Sequence, residues 1–331
     1  MDLQALFSAL QPSLSADQGG AAAAAGAAAA AEETAAAPAG PVECTRPGAV
    51  AALHAGSWQQ LAERRCAPDA QVASCTKDMG WQWSWAAQPP ACGARQFSDA
   101  ELRQRLAGKS VALLGDSHTR AMYTYLTRML NGTFSSAIDV FSKGWNSDSW
   151  HGNSSTGARV AAPAAADLHV QLLWHTAVPQ IRDVLKKMHQ QQQYPEVVIL
   201  SLGNWYHQLN KTEAQLEADL AELAGVVASL DAAARAAGRD ILWLQVTLPT
   251  RIHGRSSVST WNTPPALIPR YNAILRASPL VHPAGPVLLL DLHALAEPCL
   301  VWCSPDGLHA NAAVNAVAIQ IMANLLGLPR Q

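Results

Sequence analysis

Five short and almost uninterrupted apolar runs, each followed by a dozen residues or more, restrict the fold of this chain most strongly. The runs are residues 111–114, 168–174, 197–202, 241–248 and 287–292. Continuous apolar character is typical of strands that are buried on both faces, as in parallel sheets. Between two of them, residues 212–237 repeat leucine and valine at spacings of three and four, which predicts a crossover helix with Thr212 as its N-cap. The pattern predicts a three-layer α/β/α sandwich with a mostly parallel sheet.

The part of the chain before these runs has a different character. Residues 19–41 are almost entirely alanine, glycine, glutamate and proline, so we expect residues 1–43 to form a disordered stalk. Residues 44–100 hold four cysteines and several tryptophans, which predicts a cysteine-rich loop segment packed on the core. Within it Trp81, Trp83 and Trp85 alternate, which places them on one face of an extended stretch, where core packing is favoured over ligand stacking. Residues 101–331 then form the α/β domain.

Charge and hydropathy exclude several kinds of partner. The formal net charge is only -2 and no long basic run occurs, so neither nucleic acid nor an anionic membrane surface is expected as a partner. No apolar stretch approaches the roughly 20 residues of a membrane-spanning helix. The N-terminus lacks the basic and compact apolar regions of a signal peptide. We therefore expect no membrane attachment and no visible secretion signal within these residues, and the oligomeric state stays open.

Six cysteines form an even set, which permits complete pairing in an oxidising compartment. A metal site or six unrelated thiols remain as alternatives. The candidates are Cys44, Cys66, Cys75, Cys92, Cys299 and Cys303. Three glycosylation sequons begin at Asn131, Asn153 and Asn210 and agree with secretion. No Cys-x2-Cys or His-x3-His ligand cluster occurs, so we expect no metal.

Ser117 is the candidate nucleophile. It follows the predicted strand at residues 111–114 and precedes a predicted helix at 119–130, with Gly115 allowing a tight turn. A hydroxyl at such a turn projects from the carboxyl edge of the sheet, where backbone N–H groups, including that of Ser117, can face an oxyanion. A Gly-Asp-Ser triplet also occurs in ordinary turns, so this assignment needs support from other residues.

The candidate partners of Ser117 lie near the end of the sequence. Asp306 and His309 precede a predicted helix at residues 312–326, and an aspartate can orient a histidine that acts as the base. Asp148 and His151 have the same spacing and stay an alternative. Position favours the first pair, because Ser after the first strand with Asp and His before the last helix matches the serine hydrolases of the GDSL or SGNH type.

A second oxyanion donor is predicted after the strand at residues 197–202. The side-chain amide of Asn204 should lie beside Ser117, because neighbouring parallel strands end at the same edge. SGNH enzymes resemble this in using a Gly-x-Asn element, although Gly203 and Asn204 are adjacent here. An ordinary turn asparagine is the alternative. The resemblance also implies an oxyanion glycine, for which Gly144 is the candidate.

Several motifs resemble the trichome-birefringence-like family of polysaccharide O-acetyltransferases. They are Trp83-Ser84-Trp85, Pro89, Cys92, Phe97, Gly108-Lys109, Gly115-Asp116-Ser117 and Arg120. The run Cys299-Leu300-Val301-Trp302-Cys303 is similar to the family's Cys-x-x-Trp-Cys segment, but lacks the catalytic Asp and His that the family carries inside it. The run Asp306-Gly307-Leu308-His309 instead resembles the sialic-acid O-acetyltransferases and other PC-esterase proteins.

The resemblance implies an SGNH-like catalytic domain that transfers an acetyl group to a polysaccharide or glycan through an acyl-serine. It implies an acetyl donor, acetyl-CoA or another acetyl carrier, as co-substrate, with no bound cofactor. Arg120 and Trp205 are candidate substrate-binding residues. The implied location is the Golgi lumen or the extracellular space. A carbohydrate or lipid esterase with the same triad, and a non-catalytic glycan-binding protein of the same fold, remain as alternatives.

Overall fold

A computed structural model of the protein describes residues 44–60, 81–85, 91–130, 155–161, 167–249, 264, 266–282, 285–299, 303–304 and 308–330. Several predictions fall outside these residues and stay predictions. They concern the stalk at residues 1–43, together with Cys66, Cys75, Asn131, Gly144, Asp148, His151, Asn153 and Asp306.

The described residues form helices and strands that alternate along most of the chain. In chain order they are α1 (Arg46–His54), β1 (Gly56–Gln60), β2 (Trp81–Trp85), α2 (Asp99–Leu106), β3 (Ser110–Gly115), α3 (Ser117–Leu130), β4 (Ser155–Ala161), β5 (Asp167–Trp174), α4 (Val178–Gln190), β6 (Val197–Ser201), α5 (Glu213–Ala236), β7 (Leu242–Val246), α6 (Leu267–Ala277), β8 (Val287–Leu290), α7 (Leu292–Ala296) and α8 (Ala312–Leu325). Short 3-10 turns lie at Ala91–Gly93, Pro279–Val281 and Glu297–Cys299.

The central sheet has the order β4-β5-β3-β6-β7-β8. All five predicted strands are present, and they pair in parallel in the order β5-β3-β6-β7-β8. The first of these strands, β3, therefore lies between the second and the third. In open α/β sheets of this kind, ligands bind outside the carboxyl ends of the strands where the order reverses, here around β3. The topology places the residues after β3, β5 and β6 at that edge.

Helices cover both faces of the sheet. Buried side chains of α1, α2, α3, α7 and α8 pack on one face, and those of α4, α5 and α6 pack on the other. Thr212 caps α5 as predicted, since its Oγ1 accepts from the Gln215 backbone N at 3.2 Å. The predicted three-layer sandwich is confirmed. No helix among the described residues combines the length and hydropathy needed to cross a bilayer.

The edge strand β4 was not predicted. It pairs antiparallel with β5, from Ser155 opposite Leu173 to Ala161 opposite Asp167. Its sequence, Ser-Thr-Gly-Ala-Arg-Val-Ala, contains no continuous apolar run, so the pattern that predicted the other strands did not reveal it.

The cysteine-rich segment contains more regular structure than its sequence suggested. β1 and β2 form an antiparallel hairpin in which Trp58 lies opposite Trp83. The two rings meet edge to face at 5.3 Å between centroids, and Trp58 Nε1 donates to the Leu295 carbonyl at 2.7 Å. Trp83 is buried, in agreement with the packing role predicted for this extended stretch. A Cys44–Cys92 disulfide, with a Cα–Cα distance of 5.2 Å, closes the segment.

Candidate active site

Ser117 is the first residue of α3 and directly follows the turn after β3. The turn is closed by the Asp116 carbonyl, which accepts from Arg120 N at 3.1 Å and from Thr119 Oγ1 at 2.8 Å. Only glycine fits at position 115, because its φ is +150° and an added Cβ would lie 2.5 Å from the Ser201 carbonyl oxygen. Ser117 is 6% exposed. The side chain therefore lies at a helix N-terminus, where backbone N–H groups and the helix dipole favour developing negative charge.

The carboxylate of Asp116 links this turn to the neighbouring strand β6. Its Oδ1 accepts from the backbone N of His118 at 3.0 Å and from Ser201 Oγ at 3.0 Å. Burial raises the pKa of Asp116 to about 6; the two hydrogen bonds and the Coulombic interactions with His309 and Arg120 oppose the shift. The carboxylate thus lies within electrostatic range of both side chains.

His309 comes from the far end of the sequence and lies against the residue that follows the nucleophile. Its ring centroid is 5.1 Å from that of His118, with the planes tilted by 50°, and His309 is 7% exposed. The segment is held by Asn311, whose backbone N donates to the Cys303 carbonyl at 2.8 Å and whose side chain caps α8. A Cys299–Cys303 disulfide lies just before it, with a Cα–Cα distance of 5.4 Å. The fold therefore brings the imidazole of His309 to the turn that carries Ser117.

Asn204 lies at the same edge of the sheet, after β6. Strands β6 and β3 are direct neighbours, with Leu200 opposite Leu114, so the residues that follow them emerge side by side. Gly203 has a φ of +100°, which turns the chain as it leaves the strand. Asn204 is almost completely buried, at 1% exposure. A buried amide at this position can donate to an oxyanion near Ser117 without first shedding bound water.

Arg120, Trp174 and Trp205 form a cluster on the β5 side of this edge. The Arg120 guanidinium carbon lies 4.7 Å from the centroid of the Trp174 ring, and Trp205 meets Trp174 edge to face at 6.4 Å between centroids. Burial lowers the pKa of Arg120 to about 10, against the effect of the Asp116 carboxylate, so the guanidinium stays charged at neutral pH. Trp205 is partly exposed while Trp174 and Arg120 are buried. Trp205 is therefore supported by the Trp174 ring, which in turn contacts the Arg120 guanidinium.

Of the residues predicted for the site, the structure describes Ser117, His309, Asn204, Arg120 and Trp205, and places each of them at the carboxyl edge of the sheet. The roles predicted for them stay predictions, as do those of Asp306 and Gly144. Sequence reasoning missed Ser201 and Trp174. Their signal is positional: each is the last residue of a strand that borders β3. Within the described part of the chain, no group of three or more His, Cys, Asp or Glu side chains is arranged to hold a metal.

Comparisons with known proteins give relatives of low identity. No protein-family model matches the chain. Protein ALTERED XYLOGLUCAN 9 of Arabidopsis thaliana is 22% identical over 264 residues, which cover 74% of this chain and 68% of the plant protein.

Three solved structures illustrate the structural similarities. A protein described as an SGNH hydrolase from Slackia heliotrinireducens has a TM-score of 0.38 at 15% identity, covering 66% of this chain and 100% of its own. The acetyl xylan esterase AlAXEase has a TM-score of 0.36 at 17% identity, covering 64% and 97%. A catalytic mutant of Axe2, an acetylxylan esterase from Geobacillus stearothermophilus, has a TM-score of 0.38 at 12% identity, covering 68% and 98%. At these identities the similarities assign no activity to the chain.

Proposed function

We propose that this protein is a serine-dependent O-acyltransferase that moves an acetyl group from a donor to a hydroxyl of a glycan. One observation carries the proposal. Ser117 stands at a helix N-terminus beside the strand order reversal, and the His309 imidazole lies against the adjacent residue, 5.1 Å from the His118 ring. A serine, a histidine and oxyanion donors held together at a sheet edge are the parts that acyl transfer requires.

The first half of the reaction acylates the serine. Ser117 Oγ attacks the carbonyl carbon of the acetyl donor while His309 takes the hydroxyl proton. The oxyanion that forms is stabilised by backbone N–H groups at the start of α3 and by the Asn204 amide, with Gly144 as a further donor. The intermediate then expels the donor's leaving group, which receives the proton from His309. Asp306 orients the imidazole and stabilises its charged form.

The second half transfers the acetyl group to the acceptor. His309 removes a proton from a sugar hydroxyl, which attacks the acyl-Ser117 carbonyl, and Ser117 recovers its proton as the ester is released. The partly exposed Trp205 offers a face on which a sugar ring can stack, and Arg120 with Trp174 holds that face in place. The name of the plant relative contains xyloglucan, so xyloglucan oligosaccharides are the first acceptors to test. An acetyl carrier such as acetyl-CoA supplies the acyl group as a co-substrate.

An oxidising compartment suits this assignment. The two disulfides described, Cys44–Cys92 and Cys299–Cys303, persist in secreted proteins and in secretory organelles, and are rare in the cytosol. We therefore place the protein in the secretory pathway, in the Golgi lumen or outside the cell.

The test is to incubate the purified protein with p-nitrophenyl acetate, quench it with acid, and search for an acetylated Ser117 peptide by mass spectrometry. The same reaction is run with xyloglucan oligosaccharides. We expect an adduct in the wild type, none in Ser117→Ala, and acylation slowed on the order of a thousandfold or more in His309→Ala. His189→Ala, at an exposed position on α4, serves as the matched histidine control and should behave as the wild type.

The fate of the acyl group separates the alternatives. Acetyl ester recovered on the oligosaccharide supports the transferase. Release of free acetate alone, with the same adduct, identifies an esterase. If the wild type forms no adduct, the enzyme assignment is wrong, and oligosaccharide binding measured by calorimetry then tests the glycan-binding alternative.

A further inference from the structure

We infer that Asn210 carries an N-linked glycan. Asn210, Lys211 and Thr212 form an Asn-x-Thr sequon, and they lie in the segment that joins the turn after β6 to helix α5. The inference depends on the oxidising compartment that the two disulfides indicate, and it is independent of the acyl chemistry proposed for Ser117.

The local conformation turns Asn210 outward and its neighbour inward. Asn210 is exposed and has a φ of +52°, a left-handed turn conformation that asparagine tolerates better than most residues. Its backbone N donates to the His207 carbonyl at 3.1 Å, while no hydrogen bond of its side chain occurs among the described residues. Lys211 points the other way, with Nζ 3.1 Å from Asp219 Oδ2 and 5.1 Å from the centroid of the Tyr206 ring. The Asn210 side chain therefore faces solvent, whereas the Lys211 side chain packs on Tyr206 and Asp219.

The residue before the sequon provides a second observation. Among the described residues, Leu209 is the large hydrophobic side chain that is exposed, with 42% of its surface accessible. An oligosaccharide attached to the adjacent Asn210 would shield part of that surface from solvent. A glycan at Asn210 would explain why the apolar side chain of Leu209 is exposed in the described structure.

The chemistry is a transfer to the amide nitrogen. The C–O bond between the anomeric carbon of an oligosaccharide and the pyrophosphate of its lipid carrier breaks. The anomeric carbon then bonds to Asn210 Nδ2, the lipid pyrophosphate leaves, and the amide loses one proton to a base of the transferring enzyme. No oxidant or reductant takes part. The reaction takes place on the extended chain before folding, and the folded turn accepts the product because Asn210 points into solvent.

The experiment uses the full chain behind a cleavable secretion signal in a eukaryotic secretory host. The secreted protein is treated with an N-glycanase in heavy-oxygen water and mapped by mass spectrometry, so that each formerly glycosylated asparagine appears as a labelled aspartate. We expect labelling at position 210. Asn210→Gln and Thr212→Ala should lose it completely, whereas Thr212→Ser, which keeps both the sequon and a side chain that can cap α5, should retain it.

Two results would overturn the inference. One is a secreted chain that is labelled at Asn131 or Asn153 but bare at Asn210. The other is a secreted chain with paired cysteines and no label at any sequon, because paired cysteines show that the chain passed through the lumen. Urea denaturation of each secreted variant checks its folding, so a misfolded variant is not mistaken for an unglycosylated one. A hydrophobic dye should also bind Asn210→Gln more strongly than the wild type, and the added Leu209→Ser change should remove the excess.

Discussion

The carboxylate of Asp116 joins the turn that carries Ser117 to the neighbouring strand β6. A single carboxylate oxygen holds both the start of α3, through the His118 backbone N, and the end of β6, through Ser201 Oγ. The carboxylate is buried, and ionising it without water costs free energy. The buried carboxylate therefore lowers the free energy of unfolding, while its hydrogen bonds position the turn that carries Ser117. Such a loss of stability is common at functional sites.

Replacing this carboxylate should change how stability depends on pH. The pKa of Asp116 is about 6 in the folded protein against an ordinary value of 3.8. Between these values the folded protein keeps a proton that the unfolded chain has released, so this group's contribution to stability falls as the pH rises. Asp116→Asn cannot ionise and should gain about 2 kcal/mol relative to the wild type between pH 4 and pH 7.

Urea denaturation at the two pH values measures the difference. Ser201→Ala removes one hydrogen bond but leaves the carboxyl ionisable, so it should follow the wild-type trend. A wild-type minus Asp116→Asn difference that is the same at both pH values would contradict the role of burial.

Replacing Trp205 should weaken transfer of the acetyl group to the glycan acceptor and leave acylation of Ser117 unchanged. Loss of one aromatic stacking surface is worth about 0.5–1.5 kcal/mol, so Trp205→Ala should lower the ratio of glycan ester to free acetate by about twofold to tenfold. Trp205→Phe keeps an aromatic face and should retain most of the ratio. The acetylation rate of Ser117 by p-nitrophenyl acetate should stay within about twofold in both variants. An equal loss in acylation and in transfer would show that Trp205 supports the fold of the site instead.

At the scale of elements, the N-terminus of α8 positions His309, the proposed base. Asn311 Oδ1 accepts from the backbone N of Ala313 at 3.0 Å and of Val314 at 3.1 Å, which fixes the helix start three residues after His309. The cap thus joins a helix that is buried along most of its length to the segment that carries the imidazole.

Asn311→Ala should therefore reduce both stability and activity. We expect a loss of about 1 kcal/mol in the free energy of unfolding, within a range of about 0.5 to 2, and a fall in the acylation rate. Thr212→Ala removes the cap of α5 on the opposite face of the sheet and should cost a similar free energy with no change in acylation. Urea denaturation and the p-nitrophenyl acetate rate measure the two effects, and equal activity in both variants would show that the cap does not position His309.

Most of the strands, but not all of them, could be predicted from the sequence. The runs that became β3, β6 and β7 are buried along nearly their whole length, and such runs alternating with predicted helices indicate a parallel sheet. β4 was missed because its sequence contains no apolar run. The contact between Arg120 and Trp174 was missed for another reason: it depends on the register that sets Gly115 opposite Trp174, and register is a relation between two strands.

At the scale of the whole molecule, hydrogen bonds and ion pairs join the first and last described segments to the rest of the domain. Arg46 donates from Nε to the Leu325 carbonyl at 3.2 Å and forms a two-pronged ion pair with Asp240, at 3.0 and 2.5 Å. Arg330 binds Asp231 through two contacts of 2.8 and 2.7 Å. These contacts join α1, α8 and the end of α5, so the cysteine-rich segment contributes to the closure of the whole domain.

The two disulfides should differ in what they support. Cys44–Cys92 closes a separation of 48 residues and Cys299–Cys303 one of 4. Loop-closure entropy gives about 4 kcal/mol for the first and about 2 kcal/mol for the second. Replacing both cysteines of a pair by serine should therefore destabilise the protein more at the first pair, whereas the acylation rate should fall more at the second, which borders the His309 segment. Denaturation and acylation measured on both double variants test this, and the opposite order of acylation rates would contradict it.

The site joins a serine that follows the first strand of the parallel sheet to a histidine that precedes α8. No partly folded form that lacks a docked α8 can hold Ser117 and His309 together in the proposed catalytic arrangement, whatever part of the sheet has already formed. Hydrolysis of a small ester during refolding should consequently lag behind the burial of the tryptophans in the sheet, and the length of that lag would report the time that α8 needs to reach its place. The rate of ester hydrolysis during refolding would then report when the segment before α8 reaches Ser117.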